Sequence, residues 1–85
     1  MQLTRYLACH LAQEGIRCNS ISPGPFPPDS VESEFAARLV DKVSLGRLGR
    51  PADLGGALLL LASDAGSYVN GVVLPVDGGH HVALV

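Results

Sequence analysis

The chain has little charge. Only 16% of its 85 residues are Asp, Glu, Lys or Arg, against about a quarter in ordinary soluble domains. Five Arg and one Lys face five Asp and three Glu, for a net charge of −2, and no run of basic residues occurs. That excludes the basic stripe with which a domain grips nucleic acid or an anionic membrane surface. The nearest approach is "GRLGR" at 46–50, where Arg47 and Arg50 in a glycine-rich turn read as solvated charges or intrachain partners. Cysteine is scarce too. Cys9 and Cys18 have no CxxC spacing, so the expectation is two reduced thiols in a cytoplasmic protein. The longest strongly apolar run, "GALLLLA" at 56–62, falls far short of the ~20 residues that cross a bilayer. The opening "MQLTRYLACHLA" lacks a cationic leader region and carries polar residues throughout, so no secretory signal is expected. There is no internal repeat and no low-complexity tract.

What is present is apolar. Hydrophobic residues make up 47% and the mean hydropathy is +0.29. A chain of this length has room for one small domain, which buries only ~60–65% of its unfolded surface. So short and apolar a domain is expected to keep apolar surface after folding and to associate through it.

The pattern of elements is helix, strand, helix, helix, strand. Leu3, Leu7 and Leu11, with Tyr6 and His10, recur at helical spacing over 3–14, and Gly15 supplies a stop. "IRCNSIS" at 16–22 alternates as a short strand ended by Pro23-Gly24. In "DSVESEFAARLVDKV" at 29–43, Asp29 or Ser30 can cap a second helix, and Val31, Phe35, Leu39 and Val43 share a face. After a turn at 44–49, Pro51 suits the first position of a third helix over 51–62, with Asp53 in its first turn. That helix is apolar nearly all round from Ala57 to Ala62, which predicts burial on more than one side. "VVLPV" at 72–76 is a second strand, and "DGGHH" closes the pattern as a turn. Two strands joined by so long a helical crossover should lie parallel. Two strands alone do not form a viable sheet, so further neighbours are expected.

Between the first strand and the second helix, four of the six prolines fall within 23–28. They fix φ and remove backbone donors, making a rigid elbow directly after the strand.

Together "LTRYLACHLAQEGIRCNSISPGPF" and "LGRLGRPADLGGALLLLASDAGSYVNGVVLPVDGG" closely resemble the C-terminal third of the short-chain dehydrogenase/reductase family, over Leu3 to Gly79. The wording "SPGPFP" is most similar to gluconate-dehydrogenase-type and related sugar or polyol members. The resemblance implies an α/β fold, the C-terminal part of a Rossmann-type doubly wound parallel sheet. It makes 1–85 a single partial domain completed by oligomerisation. It implies NAD or NADP as cofactor and hydride transfer between alcohols and carbonyls. It also implies a homo-oligomer built through the helix at 51–62 and the strand at 72–76. In such proteins the segment after the sixth strand runs beside the nicotinamide, which assigns Pro23, Gly24 and Phe26 to the cofactor. Pro28 stands where the family often carries a Thr.

These 85 residues hold no glycine-rich phosphate turn: Gly55-Gly56 and Gly78-Gly79 lack both the spacing and the strand–helix context. The family's catalytic Ser and Tyr-x-x-x-Lys are absent from them as well, so no catalytic residue is assigned and the chain is expected to be inactive alone. The alternative is a non-catalytic assembly module derived from the family's dimerisation region. Tyr6 and His10 mimic the Tyr-x-x-x-Lys spacing, but an imidazole with an ordinary pKa near ~6.5 cannot replace the Lys. They read as part of a packed helix. Asn19 and Asp77 read as structural hydrogen-bonding residues, Cys18 as a small buried hydrophobe, and His80-His81 as solvated, with no metal site.

Overall fold

A computed structural model describes residues 2–26 and 33–82. Within them the order is α1 (Gln2–Leu11), β1 (Ser20–Pro23), α2 (Ser33–Val40), α3 (Pro51–Ala62) and β2 (Val73–Val76), with 3-10 turns at Ala12–Glu14, Asp64–Gly66 and His80–Val82. The strands pair in parallel, from Ser20 opposite Val73 to Pro23 opposite Val76. Helix–strand–helix–helix–strand order and the parallel pairing agree with the sequence reading.

The first helix tightens before it stops. Its α-helical part ends at Leu11, and a 3-10 turn leads to Gly15, whose φ of 75° lets its N–H close onto the Ala12 carbonyl at 3.0 Å. Its buried residues correct the expected leucine stripe: Leu3 is 66% exposed, whereas Thr4 and Ala8 are buried. Thr4 meets the strand, its Oγ1 donating to Ser20 Oγ at 3.1 Å, and Ala8 packs beside Gly71.

The first strand is shorter than 16–22. Pairing begins only at Ser20 because β2 begins at Val73. The approach at 17–19 is held by one backbone bond, from Gly71 N–H to the Cys18 carbonyl at 2.9 Å, and by side chains. Cys18 N–H donates to Asn70 Oδ1 at 2.9 Å, and Asn70 Nδ2 donates to the Ala8 carbonyl. Asn19 Nδ2 donates to the Val69 carbonyl, and its Oδ1 accepts from Val72 N–H, both at 3.0 Å. Arg17 donates to the carbonyls of Val69 and Ser63. These bonds satisfy backbone groups that a strand neighbour would otherwise take.

The second helix is observed from Ser33. The expected caps at Asp29 or Ser30, the residues Val31 and Glu32, and Pro27 and Pro28 lie outside the described residues. Beyond Val40 the chain turns tightly, with Lys42 N–H on the Leu39 carbonyl and Val43 N–H on that of Val40, and buries Val43. The third helix starts at Pro51 as expected. Asp53 accepts from the Arg50 N–H at 2.7 Å, one of the donors that a helix start leaves orphaned.

That helix packs on both strands, but the predicted burial on several sides is not observed. Leu58 is 59% exposed and Leu59 70%. Two strands are narrower than the apolar circumference of the helix, so its outer face has nothing to lie against among the described residues. Ala8 and Val43 are the only buried hydrophobic side chains among them. None of the helices among them is long and apolar enough to cross a membrane.

Candidate functional site

The two strands end side by side, and three turns meet at their carboxyl ends. After Pro23 the ladder continues for one residue: Gly24 N–H donates to the Val76 carbonyl at 3.0 Å. Gly24 then presses against Asp77 so closely that a Cβ at position 24 would stand 2.6 Å from Asp77 Cα. Only glycine fits. Pro25 lends its carbonyl to Gly49 N–H at 2.9 Å, tying the elbow to the turn that precedes α3. The Phe26 ring lies against Gly49, where a Cβ would come within 2.6 Å of the ring carbons. Proline stiffness and two missing Cβ atoms thus hold Pro23–Phe26 in one shape.

The opposite wall is the turn after β2. Gly78 and Gly79 have φ of 62° and 92°, left-handed values that suit glycine. The Gly78 carbonyl accepts from Leu45 N–H at 2.9 Å, and the Gly79 carbonyl from Ser44 Oγ at 3.2 Å. Asp77 organises this turn. Its carboxylate accepts from the backbone N–H groups of Gly79 and His81, and from His81 Nδ1 at 2.9–3.0 Å. Burial pulls the Asp77 carboxyl upward, but the His81 ring and the two backbone donors outweigh it, and the group sits below the usual carboxylate range.

Between the walls lies a cleft of about 480 Å³, within the range of small-molecule sites. Pro25, Phe26, Leu45 and Val76 give it apolar surface, while Ser44, Arg47 and His81 bring polar groups. Arg47 is already engaged: its guanidinium holds Asp53 through two bonds of 2.9 and 3.1 Å. Those hydrogen bonds, with the Arg50 N–H, hold Asp53 well below the usual carboxylate range, and the same pair raises Arg47.

Of the sequence-assigned residues, Pro23 ends β1, and Gly24 and Phe26 form the half-buried elbow beside Asp77 and Gly49. Tyr6 and His10 stack at 4.0 Å with His10 Nδ1 against the Tyr6 carbonyl, on the exposed face of α1 and outside the cleft. Asn19 and Asp77 make the structural hydrogen bonds expected of them. Cys18 is half-buried, less enclosed than expected, because its face of the chain has no further cover. Among the described residues no three His, Cys, Asp or Glu side chains gather as metal ligands. Sequence reasoning gave no role to Arg17, Asn70 or Gly49. For Asn70 a signal existed, an Asn-Gly pair just before a strand. It also missed the tie between Asp77 and His81, four residues apart.

A family model described as enoyl-(acyl carrier protein) reductase matches residues 1–81. Protein FixR of Bradyrhizobium diazoefficiens is 41% identical over 80 residues, covering 94% of this chain and 29% of its own. An L-rhamnose 1-dehydrogenase (NAD(P)(+)) from Sphingomonas is 41% identical over 87 residues, covering 96% of this chain and 34% of its own. Among solved structures, a short-chain dehydrogenase from Leptospira borgpetersenii with bound NAD+ superposes with a TM-score of 0.84 at 42% identity, over 93% of this chain and 31% of that one. The chain thus spans about a third of the length of the curated relatives it matches. In its elements, their pairing and nearly its whole sequence, the chain belongs to the short-chain dehydrogenase/reductase family.

Proposed function

We propose that these 85 residues are a single partial domain that supplies the nicotinamide-side wall of an NAD(P)-dependent oxidoreductase interconverting alcohols and carbonyls. Pro23, Gly24 and Phe26 face the cofactor. The observation that carries this reading is the elbow itself: Gly24 wedged on Asp77, and Phe26 on Gly49, fix a backbone segment beyond the carboxyl ends of parallel strands. Open α/β sheets bind their ligands there. The residues fit one face of a nicotinamide, which asks for a rigid apolar wall with backbone polar groups. They provide no phosphate-binding turn and no Ser, Tyr and Lys set, so the chain alone does not turn over substrate. Its two free thiols suit a cytoplasmic setting.

Complementation tests this. A relative's segment that precedes the matched region is mixed with the 85-residue chain, and NADH or NADPH oxidation is followed. Activity that needs both pieces and is lost with Gly24→Val supports the wall. No activity in a mixture that forms a folded complex overturns it. Submicromolar NADH binding, or alcohol turnover, by the chain alone overturns the claim that the site is incomplete.

A second reading has its own support in the exposed leucines of α3. As an assembly module the chain forms a homo-oligomer through 51–62 and 72–76, covering that face. A well-folded monomer in sedimentation at micromolar concentration removes this reading.

A further inference from the structure

In the seam where residues 17–19 meet 69–72, Asn70 is followed by Gly71, and that pair has a chemistry of its own. A backbone nitrogen that follows an asparagine can attack the side-chain amide and close a cyclic imide. Glycine permits the attack most readily, because it has no Cβ to crowd the ring and its backbone turns freely. In this chain every participant is held. Asn70 Oδ1 accepts from the Cys18 N–H at 2.9 Å, and Nδ2 donates to the Ala8 carbonyl at 3.1 Å. A backbone N–H only donates and a carbonyl only accepts, so the two partners fix which way the amide points. The attacking atom is held as well: Gly71 N–H donates to the Cys18 carbonyl at 2.9 Å, at a φ of 82° with Ala8 alongside. Yet Asn70 is exposed, so water reaches the pair as soon as these bonds part. Two other positions offer a contrast. Asn19 is clamped in the same manner, by Val72 N–H and the Val69 carbonyl, but Ser20 follows it and carries a side chain. Asp77 precedes Gly78, but an ionised carboxylate already accepting from two backbone N–H groups resists attack by a nitrogen.

We propose that Asn70 and Gly71 form a self-modification site gated by the seam, protected while the seam is closed and converted irreversibly once it opens. In the open state the Gly71 nitrogen bonds to Asn70 Cγ and gives up its proton. The bond from Cγ to Nδ2 breaks, and Nδ2 takes a proton and leaves as ammonia. Water then opens the imide at one carbonyl or the other. The product is aspartate with the original backbone, or isoaspartate with the chain routed through the side-chain carbon. Neither product closes the seam again. Aspartate brings an acceptor to the Ala8 carbonyl where Nδ2 donated, so that bond is lost and two oxygens face each other. Isoaspartate also lengthens the backbone, which carries the Gly71 N–H away from the Cys18 carbonyl. Strand pairing begins just beyond, at Ser20 and Val73, so the loss falls on the entry to the sheet. The inference rests on the seam and not on the cofactor wall.

Peptide mapping by mass spectrometry tests this on the 85-residue chain, kept at mildly alkaline pH across a urea series. Conversion at Asn70 is expected to be at least about tenfold slower without urea than in full denaturant, the protection that a few closed hydrogen bonds give. Hydrogen exchange at the Gly71 N–H should follow the same urea dependence, since both need the same opening. Asn19→Ala loosens the seam without touching the reacting pair. It should speed conversion in the absence of urea at least about threefold and leave the denatured rate unchanged. The converted chain, separated by its added negative charge, should exchange the Gly71 N–H about tenfold faster than the parent. A conversion rate that ignores urea, an Asn19→Ala chain that converts no faster, or a converted chain with Gly71 as protected as before overturns the proposal. So does an Asn70 that stays intact in full denaturant.

Discussion

The seam between the strand approaches and the outer face of α3 solve opposite problems. At the seam, Asn19, Asn70 and Arg17 leave few backbone groups wanting: carbonyls of Ala8, Ser63 and Val69 and N–H groups of Cys18 and Val72 all have side-chain partners. No side-chain polar atom buried among the described residues lacks one. On α3, by contrast, Leu58, Leu59 and Leu60 stand open. Among the described residues the buried polar side chains find their partners within the chain, and the apolar face of α3 does not. Hydrogen bonds are short-range and directional, so a local cluster of residues can complete them. Burying an apolar helix takes a broad surface, and two short strands do not provide it.

The largest loss is expected at the elbow. Gly24→Ala forces a Cβ into the Asp77 backbone, and a loss of about 2–4 kcal/mol is expected, read as a collapse of the thermal transition. A variant as stable as the parent would mean that strand ends and turn are not locked together. Next in size, Asn70→Ala leaves the Cys18 N–H and the Ala8 carbonyl without their partner. Urea unfolding should show about 1–3 kcal/mol lost. Asn19→Asp is a sharper probe, because it keeps the acceptor for Val72 and removes the donor to Val69.

Acid comes third. Asp53 and Asp77 both sit below the ordinary carboxylate value in the folded chain. The unfolded chain therefore takes up protons more readily, and stability rises with pH across that window. The contribution is whole above about pH 4 and fades as pH falls further. Arg47→Met should return Asp53 toward its ordinary value and flatten part of this slope. An unchanged acid limb would show the pair to be idle. Smallest in stability is Leu59→Glu. At an exposed site the change should stay within about 0.5 kcal/mol, yet association measured by sedimentation should fall. Unaltered association would place the contact surface elsewhere.

Much of the fold was legible because its signals are local. Pro51 starting α3, Gly15 stopping α1 and the parallel crossover follow from backbone chemistry alone, and the structure has all three. The leucines of α1 misled because periodicity marks an apolar face without saying which neighbour is present; Thr4 is buried against Ser20 of β1 and Ala8 against the turn at Asn70 and Gly71. The first strand is shorter than 16–22, because alternation does not reveal that β2 starts only at Val73. The elbow was visible in its prolines. The pairing of Asp77 with His81 is local, but it needs the particular turn that Gly78 and Gly79 impose; the seat of Phe26 on Gly49 is a contact between distant turns, which no spacing rule encodes.

The asparagine seam carries a consequence for how the chain reaches this state. Its bonds join residues 50 to 62 positions apart, so none can form until residues 8–19 and 69–72 have been drawn together. The entropy of closing such long loops must be met before these bonds repay it. A nascent chain therefore holds its helices early and fastens late, and Asn19 and Asn70 act as a clasp at the end of folding rather than a seed at its beginning.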